Sequence, residues 1–418
     1  MAPDTDPIVI TGMGAVSPLG VGVAANWQAL MEGRSGIVMN DRFDVSDFAA
    51  KIAGLVPKSF DPTTVVDPKD IKKMDLFIRY GLVAAAEALA QSGWLADTAD
   101  KQAATATIIG SGVGGSPVMA EAVDTIRDKG PRRLSPFTVP AFLANLAAGW
   151  ISIKYGFKGP IGAPVTACAA SAQAIGDGMR LIRTGEAEIV VCGGAEGSVD
   201  PISIGGFAAS RALNTTFNDR PTEASRPFDK GHAGFVLAEG AAVVVIERLS
   251  HARARGATPL AIAAGYGTSA DAYHLTAGSP DGAGAQVAMN NAIRNAGLTP
   301  DDIGYVNAHA TSTEVGDNAE INGIRAVFGD RGQSLAVSST KSATGHMLGA
   351  AGAMEAVISV LALRHQMLPP TLNLHDPEEV ARQFDLVPLE ARPRALKHVL
   401  SNSFGFGGVN ASLVFSAT

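Results

Sequence analysis

The sequence has few cysteines and little charge. Its 418 residues include two cysteines, Cys168 and Cys192, which excludes a disulfide framework and indicates a reducing compartment. Charged residues make up 17% of the chain and hydrophobic residues 46%. Because this composition provides ample apolar surface for burial, a disordered chain is also excluded.

The sequence also lacks an excess of basic residues and a long apolar run. Its net charge of −7 excludes the overall electrostatic footprint of a nucleic-acid-binding protein, although local basic clusters can still dock a partner. No apolar run approaches the length that spans a bilayer. Residues 1–7 carry two aspartates and lack the basic segment of a secretory signal. We therefore expect a soluble, cytoplasmic protein that binds neither nucleic acid nor a membrane.

Glycine, in contrast, is plentiful. The chain contains 47 glycines, which implies many tight turns and close backbone approaches. Short apolar runs that lead into glycine alternate with helical segments, and this order predicts an α/β layered fold with largely buried sheets. The predicted strands cover residues 8–11, 105–109, 188–192 and 241–246, and the predicted helices cover residues 80–91, 170–184, 285–295 and 350–364.

The length of the chain favours two domains or a duplicated core. Two segments, residues 8–24 and 260–284, repeat the order of strand, Gly-x-Gly, Ser-containing loop and helix. This weak internal similarity predicts two halves, residues 1–250 and 251–418. The first Gly-x-Gly also suggests a dinucleotide-binding turn, but the third glycine is misplaced and Pro18 interrupts the start of the helix.

Cys168 lies where an extended segment runs into a helix of small residues. The unpaired N–H groups and partial positive charge of a helix N-terminus favour the thiolate form of cysteine, which is the nucleophilic form. A nucleophile is therefore one interpretation of Cys168, and a buried structural cysteine is the other. Cys192 lies within an apolar strand and is predicted to belong to the core.

Two further segments carry histidine. His309 follows a short strand and precedes a hydroxyl-rich loop, where it suits proton transfer or a structural role. Lys341 and His346 lie five residues apart in a segment of small, uncharged residues. Lys341 is either an ordinary surface lysine or a packed lysine, for which Glu355 is a plausible ionic partner.

The C-terminal segment 401–410 combines glycine with phenylalanine. Such a glycine density lets the backbone approach a ligand and aim N–H groups at an oxyanion, although a mobile hairpin turn is also compatible with it. Taken together, one cysteine, two histidines, one lysine and this loop mostly follow apolar strands. They fit a single site assembled from several strand ends.

Four of these segments, taken in combination, are highly specific. They read Thr-Ala-Cys-Ala at 166–169, Asn-Ala-His-Ala-Thr-Ser-Thr at 307–313, Ser-Ser-Thr-Lys-Ser-Ala-Thr-Gly-His at 338–346 and Asn-Ser-Phe-Gly-Phe-Gly-Gly at 402–408. On these motifs the sequence resembles the β-ketoacyl-acyl-carrier-protein synthase II family over essentially its full length. The resemblance implies a thiolase-like αβαβα five-layered fold with two duplicated halves, and a homodimer.

The resemblance also implies a reaction. An acyl chain passes from acyl carrier protein to Cys168, and a decarboxylative Claisen condensation with malonyl-acyl carrier protein then lengthens it by two carbons. His309 and His346 would assist the decarboxylation, and Lys341 would support their charge states. The backbone N–H groups of Cys168 and Phe404 would form the oxyanion hole, with Phe404 gating access. No cofactor is implied beyond the phosphopantetheine arm of the carrier protein.

The remaining assignments also follow from the resemblance. Thr311 and Thr313 would hydrogen-bond the pantetheine arm, and Val113 would shape the bottom of the acyl pocket, where medium or long chains would fit. The predicted substrate-binding set is Val113, Thr311, Thr313, Phe404, Gly405 and Phe406. The predicted docking residues for the acidic carrier protein are Lys69, Lys72, Lys73, Arg132, Arg133 and Arg211. A structural monovalent cation is expected at Asn307, Glu355, Ser401 and Asn402.

Two positions depart from the family pattern. Glu314 stands where proline is common, and His232-Ala233 stands where an Arg-Asp pair is usual. These departures leave open a specialised paralogue for a dedicated lipid or polyketide pathway. A thiolase would need a second catalytic cysteine near the C-terminus, and a chain-length-factor-like partner would lack the nucleophile. A cysteine hydrolase would not need Lys341 and a second histidine.

Overall fold

The computed structural model describes residues 6–329 and 331–418, so most of the segment 1–7, on which the expectation about a secretory signal was based, lies outside the described residues. The strands are β1 Ile8–Ser17, β2 Gly20–Val21, β3 Ile37–Met39, β4 Ile52–Gly54, β5 Thr105–Gly110, β6 Ile161–Gly162, β7 Ile189–Glu196, β8 Gly240–Arg248, β9 Ala261–Ala270, β10 Tyr305–Asn307, β11 Ala336–Ser338, β12 Met367–Leu368, β13 Arg392–Pro393, β14 His398–Gly405 and β15 Val409–Ser416.

The helices complete the described elements. They are α1 Val23–Met31, α2 Pro68–Ile71, α3 Leu76–Ser92, α4 Ala99–Ala103, α5 Ser116–Lys129, α6 Thr138–Phe142, α7 Leu146–Tyr155, α8 Ala170–Thr184, α9 Pro201–Ala209, α10 Leu249–Ala254, α11 Ala283–Asn295, α12 Glu314–Phe328, α13 Lys341–Thr344 and α14 Ala351–His365. The helix predicted over residues 170–184 is confirmed, and Gly185 ends it in the left-handed region with φ of 77°.

The main sheet consists of two five-stranded parts with the same internal order. The first part runs β6-β5-β7-β8-β1 and the second runs β11-β10-β14-β15-β9. In both parts the first three strands are parallel and the last two pair antiparallel to their neighbours. Two residue pairs between β1 and β9 join the parts. This repeat confirms two duplicated halves, while the division near residue 250 stays a prediction.

Helices cover both faces of each part of the sheet. Helices α3 and α7 pack on the outer side of the first part, and α11, with α12 against it, packs on the outer side of the second. Helices α8 and α14 contact each other and both parts of the sheet, and they form the central layer. The result is the expected αβαβα order of five layers.

The Gly-x-Gly of each half lies inside a strand and not in a turn. A Cβ atom at Gly12 or Gly14 would lie within 2.0 Å of a carbonyl oxygen of α3, and one at Gly265 or Gly267 would lie 2.1 Å from a carbonyl oxygen of α11. The predicted end of the first strand at residue 11 is therefore wrong, because these glycines let a helix pack directly on the strand. The arrangement also leaves no phosphate-binding turn at Gly12 and Gly14.

The central helix α14 is more apolar than the sequence analysis allowed. Leu348–His365 is long and apolar enough to cross a membrane, and among the described residues it is the one helical segment of that kind. The expectation that no apolar run approaches this length is therefore wrong. However, 89% of the segment is buried inside the protein. Its composition follows from its place in the central layer, where apolar neighbours surround it.

Candidate active site

Cys168 lies in a tight turn at the start of the central helix α8. Residues 167–169 form a single 3-10 turn before α8 begins at Ala170, and Ala167 has a φ of 48°. This left-handed conformation is uncommon for a residue with a side chain, and it persists where the surroundings fix the backbone. The turn places the thiol in a cavity of about 610 Å³. Cys192, by contrast, is fully buried in β7, as predicted.

Two histidines line the same cavity. His309 follows β10, and His346 follows the short helix α13. The His346 Nε2 lies 3.0 Å from the Cys168 Sγ, and the two imidazole rings lie 5.4 Å apart at 84°. The three residues come from segments far apart in the chain, so the sequence motifs meet as predicted.

Burial sets the protonation states of these groups. It lowers the pKa of His309 and of His346 well below the usual range, and the nearby positive charge of Lys341 lowers both further. Burial raises the pKa of the Cys168 thiol to about 12, and the charge of Lys341 only partly opposes this effect. At neutral pH the site therefore holds two neutral imidazoles beside a protonated thiol. The expectation of a resting thiolate differs from this result, because desolvation exceeds the effect of the helix start.

Lys341 forms a buried ion pair with Glu355. The side chains are 1% and 3% exposed, which excludes the interpretation of Lys341 as a surface lysine. Burial raises the pKa of Glu355 to about 7, while the Lys341 charge favours the ionised carboxylate. Lys341 acts on the histidines through its charge, since no hydrogen bond joins it to either ring among the described residues.

The Gly/Phe loop packs on the turn that holds Cys168. A Cβ at Gly405 would lie 2.7 Å from the Thr166 carbonyl oxygen, so glycine allows this contact. The backbone N–H groups of Phe406 and of Cys168 itself lower the pKa of the Cys168 thiol, and so partly oppose the effect of burial. The prediction named the N–H of Phe404 for the oxyanion hole.

The two phenylalanines of this loop lie in different settings, and the role predicted for Phe404 stays a prediction. Phe404 lies within β14, opposite Asn410 in the antiparallel ladder, and its ring lies 5.6 Å from the ring of His309. Phe406 lies beyond the end of β14 and is 38% exposed, with its ring 6.2 Å from that of Phe207. Phe406 thus contributes the N–H that lowers the pKa of the thiol and has the freer ring beside the cavity.

Glu320 is a site residue that the sequence analysis missed. Its carboxylate accepts the N–H groups of His309 at 2.9 Å and of Ala310 at 2.6 Å, and Asn402 Nδ2 at 3.0 Å. Burial raises the pKa of Glu320 to about 7. It fixes the backbone of His309 from helix α12. The sequence signal was weak, namely one glutamate eleven residues after His309.

The predicted substrate-binding residues lie along the cavity. Thr311 and Thr313 line it with their hydroxyl oxygens 3.1 Å apart. Val113 also lines it and is 37% exposed. Behind Val113, the buried carboxylate of Glu196 accepts the N–H groups of Gly112 and Gly349 and so fixes this loop.

The predicted docking residues lie on the surface, in different settings. Arg211 lines the cavity, and Lys73 pairs with Asp70 while lying 5.0 Å from the ring centre of Phe137. Lys69 pairs with the exposed Asp67. The remaining three, which are exposed, are Lys72, Arg132 and Arg133. Nothing in these contacts tests carrier docking, which stays a prediction.

The predicted cation-site residues cluster around β10 and β14. Asn307 and Ser401 are register partners on these strands. Asn307 Oδ1 and Glu355 Oε2 are buried and have no hydrogen-bond partner among the described residues. Asn402 instead donates to Glu320 and accepts from Ser412. Unpaired oxygens of this kind fit a hard monovalent cation, and its presence stays a prediction.

Comparison with known proteins decides the family. Residues 5–252 match the family described as Beta-ketoacyl synthase, N-terminal domain, and residues 260–375 match Beta-ketoacyl synthase, C-terminal domain. The chain belongs to the β-ketoacyl synthase family. It is 49% identical to 3-oxoacyl-[acyl-carrier-protein] synthase 2 of Vibrio harveyi over 98% of each chain. It is also 45% identical to the mitochondrial 3-oxoacyl-[acyl-carrier-protein] synthase of Arabidopsis thaliana, over 98% of this chain and 93% of the other.

Solved structures of this family share the fold. A β-ketoacyl synthase from Burkholderia phymatum matches with a TM-score of 0.90 and 31% identity, over 99% of this chain and 100% of the other. A type II polyketide ketosynthase, solved in complex with its acyl-carrier protein and bound to the hexaketide, matches with a TM-score of 0.90 and 29% identity over the same shares. The β-ketoacyl synthase fold therefore places Cys168, His309 and His346 around one cavity.

Proposed function

We propose that this protein is a β-ketoacyl-[acyl-carrier-protein] synthase that elongates a fatty acyl chain by two carbons. The observation that carries the proposal is the thiol of Cys168, 3.0 Å from the His346 Nε2 and in one cavity with His309. The high identity to relatives named 3-oxoacyl-[acyl-carrier-protein] synthase 2 supports fatty-acid elongation over a polyketide pathway, because the polyketide ketosynthase above is less similar.

The first half-reaction transfers the acyl chain to the enzyme. His346 Nε2 accepts the thiol proton as Cys168 Sγ attacks the thioester carbonyl, and the proton leaves on the departing pantetheine sulfur. The N–H groups of Cys168 and Phe406 stabilise the negative oxygen of the tetrahedral intermediate. Because the imidazole is neutral at neutral pH, it is ready to accept the proton.

The second half-reaction forms the new bond. The malonyl carboxylate leaves as CO₂. The ring N–H of neutral His309 stabilises the resulting enolate oxygen, together with the N–H of His346 in the tautomer that carries its proton on Nε2. The enolate carbon attacks the acyl carbonyl on Cys168, and the C–S bond breaks to release the Cys168 thiolate, which takes up one proton from solvent. Burial keeps both rings neutral, and the positive charge of Lys341 adds to this effect. Loss of CO₂ makes this condensation favourable without a cofactor.

The carrier protein supplies both substrates on a phosphopantetheine arm. Thr311 and Thr313 offer hydroxyl groups to this arm inside the cavity. The gating role that the family resemblance assigned to Phe404 fits Phe406 better, since its ring is partly exposed beside the cavity. The exposed side chains of Arg211 and Arg132 are positively charged, which suits an acidic carrier protein.

A second copy of the chain is the proposed partner along the edge of the first half-sheet. Strand β6 pairs only with β5, so its outer edge is unpaired among the described strands. Several apolar side chains on β6 and on the nearby helices are exposed, namely Met119, Val123, Val139, Leu143, Ile161 and Val165. Edge pairing about a twofold axis would bury this apolar surface in a homodimer and cover the cavity floor near Val113.

Three further assignments belong to the same proposal. The protein works in the cytoplasm, as the two free cysteines suggest. Its halves divide near residue 250, close to the junction of the two family matches. The oxygens of Asn307, Glu355, Ser401 and Asn402 hold a structural monovalent cation that takes no part in the chemistry.

A reconstitution assay tests the function. Acyl-carrier proteins of graded chain length are incubated with malonyl-carrier protein and the enzyme, and products are measured by mass. We expect a β-ketoacyl-carrier product two carbons longer than the acyl substrate, with one CO₂ released for each product. Hydrolysis of the acyl thioester without condensation would contradict the proposal, and it would favour the hydrolase alternative.

A further inference from the structure

His232 is buried against the loop that carries Thr311 and Thr313. Its side chain is 2% exposed, and its Nδ1 lies 3.3 Å from Asp317 Oδ2. Its Nε2 lies 3.5 Å from Glu378 Oε1. The ring thus lies between two carboxylates, beside a loop that faces the substrate.

Asp317 fixes the geometry of that loop. Its Oδ1 accepts the N–H groups of Ser312 at 3.1 Å and Thr313 at 3.3 Å. Ser312 has a φ of 73°, a left-handed conformation that a residue with a side chain keeps only where the surroundings hold it. The Ser312 carbonyl in turn accepts the N–H of Gly234. The relative position of the two threonine hydroxyls therefore depends on the Asp317 carboxylate.

One side chain, that of His232, can balance the negative charge of Asp317. Among the described residues, His232 is the one cationic side chain within ion-pair distance of Asp317. Glu314, at the start of α12, and Glu378, between β12 and β13, add negative charge near the ring. Arg226, on the same segment as His232, is paired with Asp229. A protonated ring donates from both nitrogens, whereas a neutral ring donates from only one.

These surroundings favour the protonated ring. Burial opposes the charge, but the hydrogen bond to Asp317 and the charges of Asp317, Glu378 and Glu314 outweigh it and raise the pKa of His232. Since the shift is upward, the ion pair is complete at pH values below the ordinary histidine range. It is lost as the pH rises through the higher pKa of the folded protein.

We infer that the His232 imidazolium is a positioning residue for the pantetheine arm. Acting through Asp317, it holds the hydroxyls of Thr311 and Thr313 in place, and the affinity for carrier-bound substrates falls when the ring loses its proton. This inference rests on the proposed function and deepens it, because it makes the binding of the arm depend on pH. It acts on substrate binding and leaves the chemistry at Cys168 unchanged.

The test compares KM and kcat for malonyl-carrier protein at about pH 6.5 and about pH 8.5. In the unchanged enzyme, we expect KM to rise severalfold between these values. His232→Arg stays charged and should keep a low KM at both. His232→Asn cannot become charged. At both pH values its KM should be about tenfold above the KM of the unchanged enzyme at the lower pH, with kcat nearly constant. His365→Asn is the control, because His365 is exposed, stacks on Trp27 and does not line the cavity.

The outcomes separate this inference from the proposed function. Identical pH profiles of KM for the unchanged enzyme and His232→Arg would overturn the inference while leaving condensation intact. A fall in kcat without a change in KM in His232→Asn would also overturn it. Absence of condensation in every variant at every pH would instead refute the proposed function. Circular dichroism spectra and melting temperatures of the variants show whether the chain is folded in each measurement.

Discussion

His346 Nε2 and Cys168 Sγ lie 3.0 Å apart, although 178 residues separate them in the sequence. The thiol comes from the turn before α8, and the imidazole comes from the segment after α13. Because burial favours the protonated thiol and the neutral imidazole, the pair is not a resting ion pair, and this state fits the proton transfer of the proposed mechanism.

The first prediction concerns the acid limb of the pH profile. In the proposed mechanism His309 and His346 act as neutral rings, and burial lowers their pKa values well below the usual range. Activity should therefore be retained through pH 6.5, the ordinary histidine value, and fall only at more acidic pH. The measurement is kcat for condensation against pH. A midpoint of loss at the ordinary histidine value would show that the rings are not desolvated as described.

The second prediction concerns the buried ion pair. Lys341→Met removes the partner of a carboxylate that is 3% exposed, so the variant should lose about 3 kcal/mol of stability. Unfolding in urea measures this loss. Lys341→Met combined with Glu355→Leu should recover much of the stability without recovering activity, because the histidines still lack the nearby charge. Full stability in the single variant would mean that the pair is not buried.

The third prediction concerns Gly405. An alanine here would place its Cβ 2.7 Å from the Thr166 carbonyl oxygen and push the loop with the Phe406 N–H away from Cys168. We expect kcat to fall by about 10²-fold, the usual effect of losing one oxyanion donor. Gly206→Ala is the matched control, since no atom lies within 4 Å of its added Cβ. Equal activities of the two variants would exclude the loop from the oxyanion site.

The fourth prediction concerns chain length. Val113 lines the cavity, and Val113→Phe should shorten the longest acyl chain that the enzyme extends. Product lengths from graded acyl-carrier substrates measure the effect. Val287→Phe, at an exposed position outside the cavity lining, should leave the profile unchanged. An unchanged profile in the Val113 variant would remove this residue from the acyl pocket.

The motifs predicted which side chains meet, but not how the backbone presents them. Cys168, His309, Lys341 and His346 were found because each lies in a distinctive segment beside a predicted strand or helix. The choice between Phe404 and Phe406 depends on where β14 ends, and the motif alone does not show this boundary.

The sequence also did not predict how deeply side chains are buried or how closely elements pack. The thiol pKa depends on tertiary desolvation, which the local helix start did not reveal. Glycines read as a turn at Gly12 and Gly14 instead allow α3 to pack on β1, a contact between segments about 75 residues apart. Glu320 lacked a local signal, because its function comes from accepting backbone N–H groups that only the fold brings to it.

The most direct test of the account is the fate of the acyl chain at Cys168. After incubation with acyl-carrier protein, the mass of the unchanged chain should increase by one acyl group, located at Cys168 by peptide analysis. Cys168→Ala should gain no acyl group and form no condensation product. Cys168→Gln should still release CO₂ from malonyl-carrier protein, because the histidines remain. Condensation by Cys168→Ala, or acylation at another residue, would contradict the central claim.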